Sequence, residues 1–421
     1  MLIRAIYTLL LALAAPLLLF GLYKNKPNKP KFGKRWKEHF GVTPKLESGQ
    51  KPIWIHAVSV GESIAAVPLI KALKAQSPSL SILVTTTTST GAEQIAKLGN
   101  LVEHRYMPID FDFAINAFIK VIQPSQMLII ETELWPNTLY CVNKSNIPVT
   151  VVNARLSEKS YKNYLKIRPL FTQISSNINT ILCQANQDAE RFEKLGVNPE
   201  KLVVTGSLKF DVHINNDIKE KGAQLRAMIG VNKPVWIAAS THNGEDDIVL
   251  SAHKKILELE KNAVLILVPR HPERFETVYQ LAQNANFHVT RHSECKNKTV
   301  QETSIYLGDT MGEMLEFLSA SDICFMGGSL VGDKVGGHNL LEPTATGIPS
   351  LIGPSYFNFT EITNALVNEN ITSIVNSDKE IAKSILNYWK SDPDRTKENA
   401  LCFIKRNCGA VDNTIKYIIG K

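Results

Sequence analysis

The sequence predicts an α/β protein with two doubly wound, Rossmann-like domains of parallel sheet behind an N-terminal apolar helix. Three observations lead there. From residue 52 onward, short β-branched runs alternate with amphipathic stretches, the pattern of strands joined by crossover helices. The alternation lapses near 208–232 and then resumes, which divides it into two series instead of one very wide sheet. At 421 residues the chain can form two or three domains, each with its own core.

The elements follow in order. Ala5 to Tyr23 is uncharged and mostly apolar, long enough as a helix to span a hydrocarbon core of ~30 Å. Three placements are open for it: a cleaved signal peptide, a single span with a cytoplasmic body, or a helix lying on the inner leaflet. The Lys-rich stretch 24–37 that follows opposes export and faces anionic headgroups in the other two readings. The first series of strands reads 53–58, 80–88, VEHRYMP, 127–133, 149–156, 180–184 and 202–207, with a helix near 112–122 between the third and fourth. The second reads 235–240, 263–269, 287–291, 304–308, 323–328 and 350–354, followed by helices at 379–391 and 394–419. The expected division is an anchor and basic linker over 1–40, an N-terminal domain over 41–212, a C-terminal domain over 213–400, and a last helix over 401–421 that packs back on the N-terminal domain.

Charge and cysteine usage exclude several classes. Lys and Arg total 47 against 40 Asp and Glu, a net +7, and the whole excess lies in residues 1–40, where eight bases face one acid. The remainder is neutral, so a nucleic-acid-binding body is not expected. At 44% hydrophobic and 21% charged the chain is not disordered. Its six cysteines include no C-x-x-C pair and several sit in apolar runs, so neither a disulfide framework nor a zinc site is expected and a reducing compartment suits them.

In open α/β sheets, ligands bind beyond the carboxyl ends of the strands, and two such sheets facing each other would give a cleft with two half-sites. After the first strand, HAVSVGES carries Glu62 at a helix start; it reads equally as a dipole-favoured helix residue or as a base. His56 reads as a core histidine. ETELWPN places Glu131 and Glu133 on one face of a strand beside Trp135, costly unless exposed, paired or functional. TGSLKFD brings Lys209 near the end of the first series. VPRHPERF offers Arg270 between Pro269 and Pro272, a rigid setting for a guanidinium that suits phosphate or carboxylate. GDTMGEM couples a glycine turn to a helix start, and GGSLVGDKVGGHNLLEP sets five glycines before a helix near Asn339, with Glu342 placed to receive ribose hydroxyls. Neither the dinucleotide fingerprint nor the P-loop is present. Asp110-Phe-Asp112 has the D-x-D form of metal-dependent sugar transferases, but it opens a helix, where Asp is a common cap.

These motifs, with KRWKEHFG, NARLS and GPSYFNF, occur in an order that resembles the 3-deoxy-D-manno-oct-2-ulosonic acid (Kdo) transferases of lipopolysaccharide assembly over nearly the whole chain. The resemblance implies a GT-B architecture, with the acceptor on the N-terminal domain and the sugar nucleotide on the C-terminal one. It implies inverting transfer of Kdo from CMP-Kdo to a lipid A precursor, lipid IVA, at the cytoplasmic face of the inner membrane, with no metal or other cofactor. Its partners would be the donor, the lipid acceptor and an anionic membrane surface, not nucleic acid. Residue by residue, Glu62 matches the proton acceptor, and Glu131 and Lys209 match groups that stabilise the transition state. Pro269, Arg270, Met311, Gly312, Glu313, Asn339, Leu340, Leu341 and Glu342 match the CMP-binding segments, and Gly327, Gly328 and Ser329 form a further donor loop. Leu340 stands where family members commonly have proline, and GDK lengthens the loop before it. Lys162, Lys166 and Arg168 are candidates for acceptor phosphate, or a solvated helix face. Two other readings are a GT-B transferase for another sugar nucleotide such as UDP-GlcNAc, and a membrane-tethered binding protein that has lost its chemistry.

Overall fold

The computed structural model describes residues 2–24, 31–212, 214–295, 300, 302–391 and 393–420. The chain forms two compact units, Met1–Asp211 with Asn407–Lys421, and Val212–Arg406.

Unit 1 begins with α1 (Leu2–Tyr23), then a 3₁₀ segment, Gly33–Phe40. Its strands are β1 (Ile53–His56), β2 (Ile82–Thr86), β3 (Glu103–Tyr106), β4 (Gln126–Ile130), β5 (Val149–Ala154), β6 (Thr180–Cys183) and β7 (Leu202–Val204). Between them run α2 (Val60–Gln76), α3 (Ser89–Ala96), α4 (Asp112–Ile122), α5 (Pro136–Lys144), α6 (Glu158–Lys166), α7 (Arg168–Ser176) and α8 (Asn186–Lys194). All pairings are parallel, in the order β3-β2-β1-β4-β5-β6-β7, so the chain reverses direction across the sheet between β1 and β4. Alternation along each strand sends Trp54, Met127, Ile129 and Val151 to one face and Ile55, Leu128, Ile130 and Val152 to the other, giving two apolar layers.

Unit 2 contains α9 (Asn216–Ile229), β8 (Val235–Thr241), α10 (Asp246–Leu257), β9 (Val264–Pro269), α11 (Phe275–Asn284), β10 (Val289–Arg291), β11 (Ile305–Leu307), α12 (Met314–Ser319), β12 (Ile323–Met326), α13 (Leu341–Ala345), β13 (Ser350–Ile352), α14 (Thr360–Asn368), β14 (Thr372–Ile374), α15 (Asp378–Lys390) and α16 (Pro393–Asn407). Its parallel sheet runs β10-β11-β9-β8-β12-β13-β14, with the reversal between β8 and β12. The last helix, α17 (Ala410–Ile419), belongs to unit 1, where Ala410, Val411, Ile415 and Ile418 join the layer built on α2.

Several expectations are corrected. The interval 208–232 holds α9, whose Gly222 hides the helical pattern. A Cβ there would lie 2.4 Å from that of Ser319 on α12, so the glycine permits close helix packing. The stretch 394–419 is not one helix: Gly409, at φ +98°, breaks it into α16 and α17. β14 carried too short a run to be seen. Strands end earlier than their apolar runs, so Glu131 and Glu133 lie beyond β4, and Glu131 adopts φ 61° instead of continuing the alternation. Part of the basic stretch is folded: Glu38 is buried, ion-paired with Arg35 (2.7 Å), and accepts the Tyr106 N–H at 2.7 Å. Residues 25–30 of that stretch, including Lys26 and Lys29, lie outside the described residues.

The apolar helix α1 carries a Pro at 16 and a wholly apolar outer face. Its inner stripe, Arg4, Tyr7, Thr8, Leu11, Ala14, Ala15, Leu19, Leu22 and Tyr23, is half-buried at helical spacing. Near its start, Arg4 donates to Asp112 (2.7 Å) and to Asn137 Oδ1 (2.9 Å), and its guanidinium lies 3.7 Å from the Tyr140 ring centre. Tyr7 donates its hydroxyl to Asp110 at 2.9 Å. At its end, Tyr23 Oη lies 2.7 Å from His39 Nδ1. Contacts nineteen residues apart, ~28 Å along a helix, lay α1 along unit 1.

Candidate active site

In unit 1 the reversal between β1 and β4 brings the loops after both strands together. Glu62 is the third residue of α2 and Ser59 its N-cap. The Ser59 hydroxyl donates to Glu62 Oε1 at 2.8 Å, the Val58 N–H donates to Oε2 at 2.7 Å, and the Glu62 N–H donates back to Ser59 Oγ at 3.3 Å. Ser59 thus caps the helix, and the carboxylate reaches back to the preceding N–H and to the capping hydroxyl, so the helix-start reading of Glu62 is realised in the fold. The same carboxylate is 7% exposed. Burial pushes its pKa above the ordinary glutamate value, the Ser59 and Val58 bonds pull the other way, and the charges of Glu133 and Glu131 add to the rise. A carboxyl group biased toward holding a proton is suited to general-base work.

Beside it, Lys209 Nζ lies 2.8 Å from Glu131 Oε1, both groups a little over a quarter exposed. Trp135 donates its indole N–H to Glu133 at 3.1 Å and packs edge-on against His56, ring centres 5.6 Å apart. His56 is buried, and burial lowers its pKa to about 4, so its imidazole is neutral. Its Nδ1 meets Thr85 Oγ1 at 3.0 Å while Nε2 has no hydrogen-bond partner, so it is not the fully satisfied core histidine that its pattern suggests. The structure thus brings Glu62, Glu131 and Lys209 into one group at the carboxyl edge of sheet 1. Lys162 instead pairs with Glu158 on exposed α6 (3.5 Å), and Lys166 and Arg168 lie on the same exposed surface.

The D-x-D pair is structural. Asp110 is buried and accepts from the Thr138 N–H and hydroxyl (both 2.6 Å), the Asn137 N–H (3.2 Å) and Tyr7. Asp112 holds Arg4, and the N-cap of α4 is Phe111, not an aspartate. Both carboxylates dock α1 and α5.

In unit 2, Pro269 ends β9 and Arg270 stands exposed after it, its N–H donating to Thr241 O at 3.0 Å. Three imidazoles surround the same strand ends. His242 Nε2 lies 2.9 Å from His338 Nε2, and the His242 and His271 rings meet edge-on at 5.3 Å. Burial, then the charges of His242, Arg270 and His271, lowers the His338 pKa to about 4. Glu342 lies in the first turn of α13; burial raises its pKa, and the nearby Arg270 charge opposes the rise. Met311 and Gly312 are exposed, and Gly312 takes φ +90°. Helix α12 starts at Met314, two residues after the glycine expected to open it, with Glu313 as N-cap bonded to the Thr310 hydroxyl.

Three of the matched positions cannot reach a ligand with their side chains. Leu340, Leu341 and Ser329 are fully buried. The Leu341 N–H is taken by Asn339 Oδ1 at 3.1 Å, and Ser329 Oγ bridges Met326 O and the Gly353 N–H. The expected donor loop is likewise occupied from within. Buried Glu245 accepts the N–H groups of Gly328 (2.6 Å), Ser329 (2.9 Å), Leu330 (2.9 Å) and His242 (2.9 Å), while Gly327 N–H goes to Ala239 O at 2.8 Å. Sequence reasoning passed over Glu245, although THNGED follows a strand just as the singled-out acids do. Among the described residues no group of three or more His, Cys, Asp or Glu is arranged to hold a metal ion.

Two parallel Rossmann-like units, each with its charged groups gathered at the strand carboxyl ends, have the GT-B architecture. The fold is shared with UDP-GlcNAc 2-epimerase from Neisseria meningitidis bound to UDP-GlcNAc, at a TM-score of 0.51 and 14% identity over 88% of this chain and all of that one. Residues 34–212 match the family described as 3-deoxy-D-manno-octulosonic-acid transferase. The 3-deoxy-D-manno-octulosonic acid transferase of Haemophilus influenzae is 42% identical over 89% of this chain and 87% of its own length. A solved C-terminal CMP-Kdo binding domain of WaaA from Acinetobacter baumannii is 33% identical over 44% of this chain and 97% of that one, with a TM-score of 0.41. The chain belongs to the 3-deoxy-D-manno-octulosonic acid transferase family.

Proposed function

We propose that this protein transfers Kdo from CMP-Kdo to the lipid A precursor lipid IVA with inversion, using Glu62 as general base. The observation that carries the reading is the group of Glu62, Glu131 and Lys209 at the reversal of sheet 1, in which a buried carboxylate with a raised pKa adjoins an ion pair. The acceptor hydroxyl oxygen attacks the anomeric carbon and gives its proton to Glu62. The bond from that carbon to the phosphate oxygen breaks on the opposite face and CMP leaves with the electron pair. Lys209, held by Glu131, meets the negative charge that develops. Arg270 offers its guanidinium to the CMP phosphate, and Glu342 accepts from the ribose hydroxyls. CMP-Kdo binding is the property for which the 33% identical Acinetobacter baumannii domain is named, and it is extended here to unit 2. The leaving group carries one phosphate, so side-chain cations suffice and no metal or other cofactor takes part.

The protein works at the cytoplasmic face of the inner membrane, with α1 lying in the leaflet along unit 1. The basic residues that follow it attract anionic lipid by about 1 kcal/mol each.

The deciding experiment is a single-turnover assay with CMP-Kdo and lipid IVA, products weighed by mass spectrometry, on the full chain and on Glu62→Gln. Loss of a general base costs about 10²–10⁴-fold in kcat, with donor affinity by calorimetry unchanged. Near-normal turnover in Glu62→Gln would remove Glu62 from the mechanism.

A further inference from the structure

We propose that the groove between α1 and the rest of unit 1 binds one fatty acyl chain of the lipid acceptor. This deepens the preceding section and rests on its reading of the acceptor as an acylated glycolipid.

The helix is fastened to unit 1 by polar groups at its two ends and by few contacts between. Arg4, Tyr7 and Thr8 bond to Asp110, Asp112 and Asn137 at one end, and Tyr23 meets His39 at the other. Between the clamps, Ala15 and its apolar neighbours leave a cavity of about 330 Å³. That is the size of a small ligand site. Leu11, Leu19 and Leu22 line the helix side, and Met107, Ile109 and Phe111 the body side.

Two features identify the occupant. The outer face of α1 exposes Leu9, Leu13 and Leu17, so the groove opens at the depth where α1 meets lipid, and the molecules presented to it are acylated. The groove also borders the candidate site through one residue. Trp135 forms part of its wall, and that indole binds Glu133, whose charge is felt at Glu62. A chain seated in the groove therefore brings its polar end toward the proposed base. A bulk phospholipid gains nothing from that adjacency, so the acceptor's own chain is the assigned occupant.

The test uses the full chain in phospholipid nanodiscs with lipid IVA bearing a diazirine near the end of one acyl chain. Cross-links are expected on peptides containing Leu11, Leu19, Ile109 or Phe111, competed by unlabelled lipid IVA and not by excess phospholipid. Cross-links confined to the outer face of α1, or lost equally to phospholipid, overturn the proposal. Transfer of sugar without groove labelling refutes the groove and leaves the activity standing; groove labelling without transfer does the reverse. A kinetic arm uses Ala15→Trp, which fills the groove, and Ala12→Trp on the exposed face as a matched control. A buried methylene is worth about fourfold in affinity, so displacing roughly two raises the KM for lipid IVA about tenfold or more in Ala15→Trp alone. The kcat and the KM for a deacylated acceptor stay unchanged. Equal KM changes for both acceptors, or none for either, overturn the proposal.

Discussion

At Glu62, the bonds that start α2 and the burial that surrounds the carboxylate act in opposite directions on its proton affinity, and burial prevails. With Glu62 as the proposed base, the raised pKa should place the acid limb of kcat/KM above the ordinary glutamate range of about 4.3. Removing the Ser59 hydroxyl deletes a bond that favours the charged form, so Ser59→Ala should move that limb to still higher pH, read from a pH–rate profile. The same shift has a stability consequence. A carboxyl whose folded pKa exceeds its unfolded one favours folding below the unfolded value and loses that contribution as pH rises through the folded value. Glu62→Gln should therefore melt at a higher temperature than the parent at neutral pH, and the advantage should vanish toward pH 4. At Glu245 the expectation is opposite. Glu245→Ala strands four N–H groups at about 1–3 kcal/mol for each one left buried, enough to unfold unit 2 or displace the 327–330 loop in a thermal melt. Sequence reasoning singled out Glu62, Glu131 and Lys209 because each follows a strand. It passed over Glu245, which also follows a strand, because three of its four N–H partners lie 83 to 85 positions away and their convergence has no local signature.

Among elements, long β-branched runs and well-capped helices were legible, since their pattern is a local property. The failures have particular causes. Gly222 breaks the periodicity of α9 to let α12 approach, and β14 is only three residues long at a sheet edge. The alternation expected for Glu131 stops where a positive φ turns the chain out of the sheet. Helix α1 was legible as apolar and long, but its polar inner stripe became meaningful only with its partners in place. Arg4 joins an ion pair, a hydrogen bond to the Asn137 side-chain oxygen and an aromatic face, and loses all three on substitution. Arg4→Ala should free the first turns of α1, seen as faster amide exchange over its N-terminal half, with the Tyr23 end retained.

For the whole molecule, unit 1 is built from both chain ends, with unit 2 continuous between them. The closure is made at Asp211, which accepts the Gly409 N–H at 2.6 Å and the Val411 N–H. Charge-assisted bonds of this kind contribute about 1.5–3 kcal/mol each, so Asp211→Ala should lower the melting temperature of unit 1 while sparing unit 2, separable by tryptophan emission and calorimetry. Chain truncation after Cys408 should cost more. It strips Val411, Ile415 and Ile418 from the α2 layer, at ~1.5–3 kcal/mol per side chain.

That closure also sets a schedule for biosynthesis. Translation of residues 212–406 takes ~10–40 s at typical elongation rates, and throughout that interval unit 1 has every strand but lacks α17, which packs beside α2 on one of its faces. The nascent unit stays a client for chaperones and proteases until residues 407–421 have left the ribosome. The apolar helix, made first, is meanwhile available to hold the unfinished chain against a membrane. A stalled chain ending before residue 407 should be cleaved readily by added protease within unit 1, and release of the full chain should end that sensitivity.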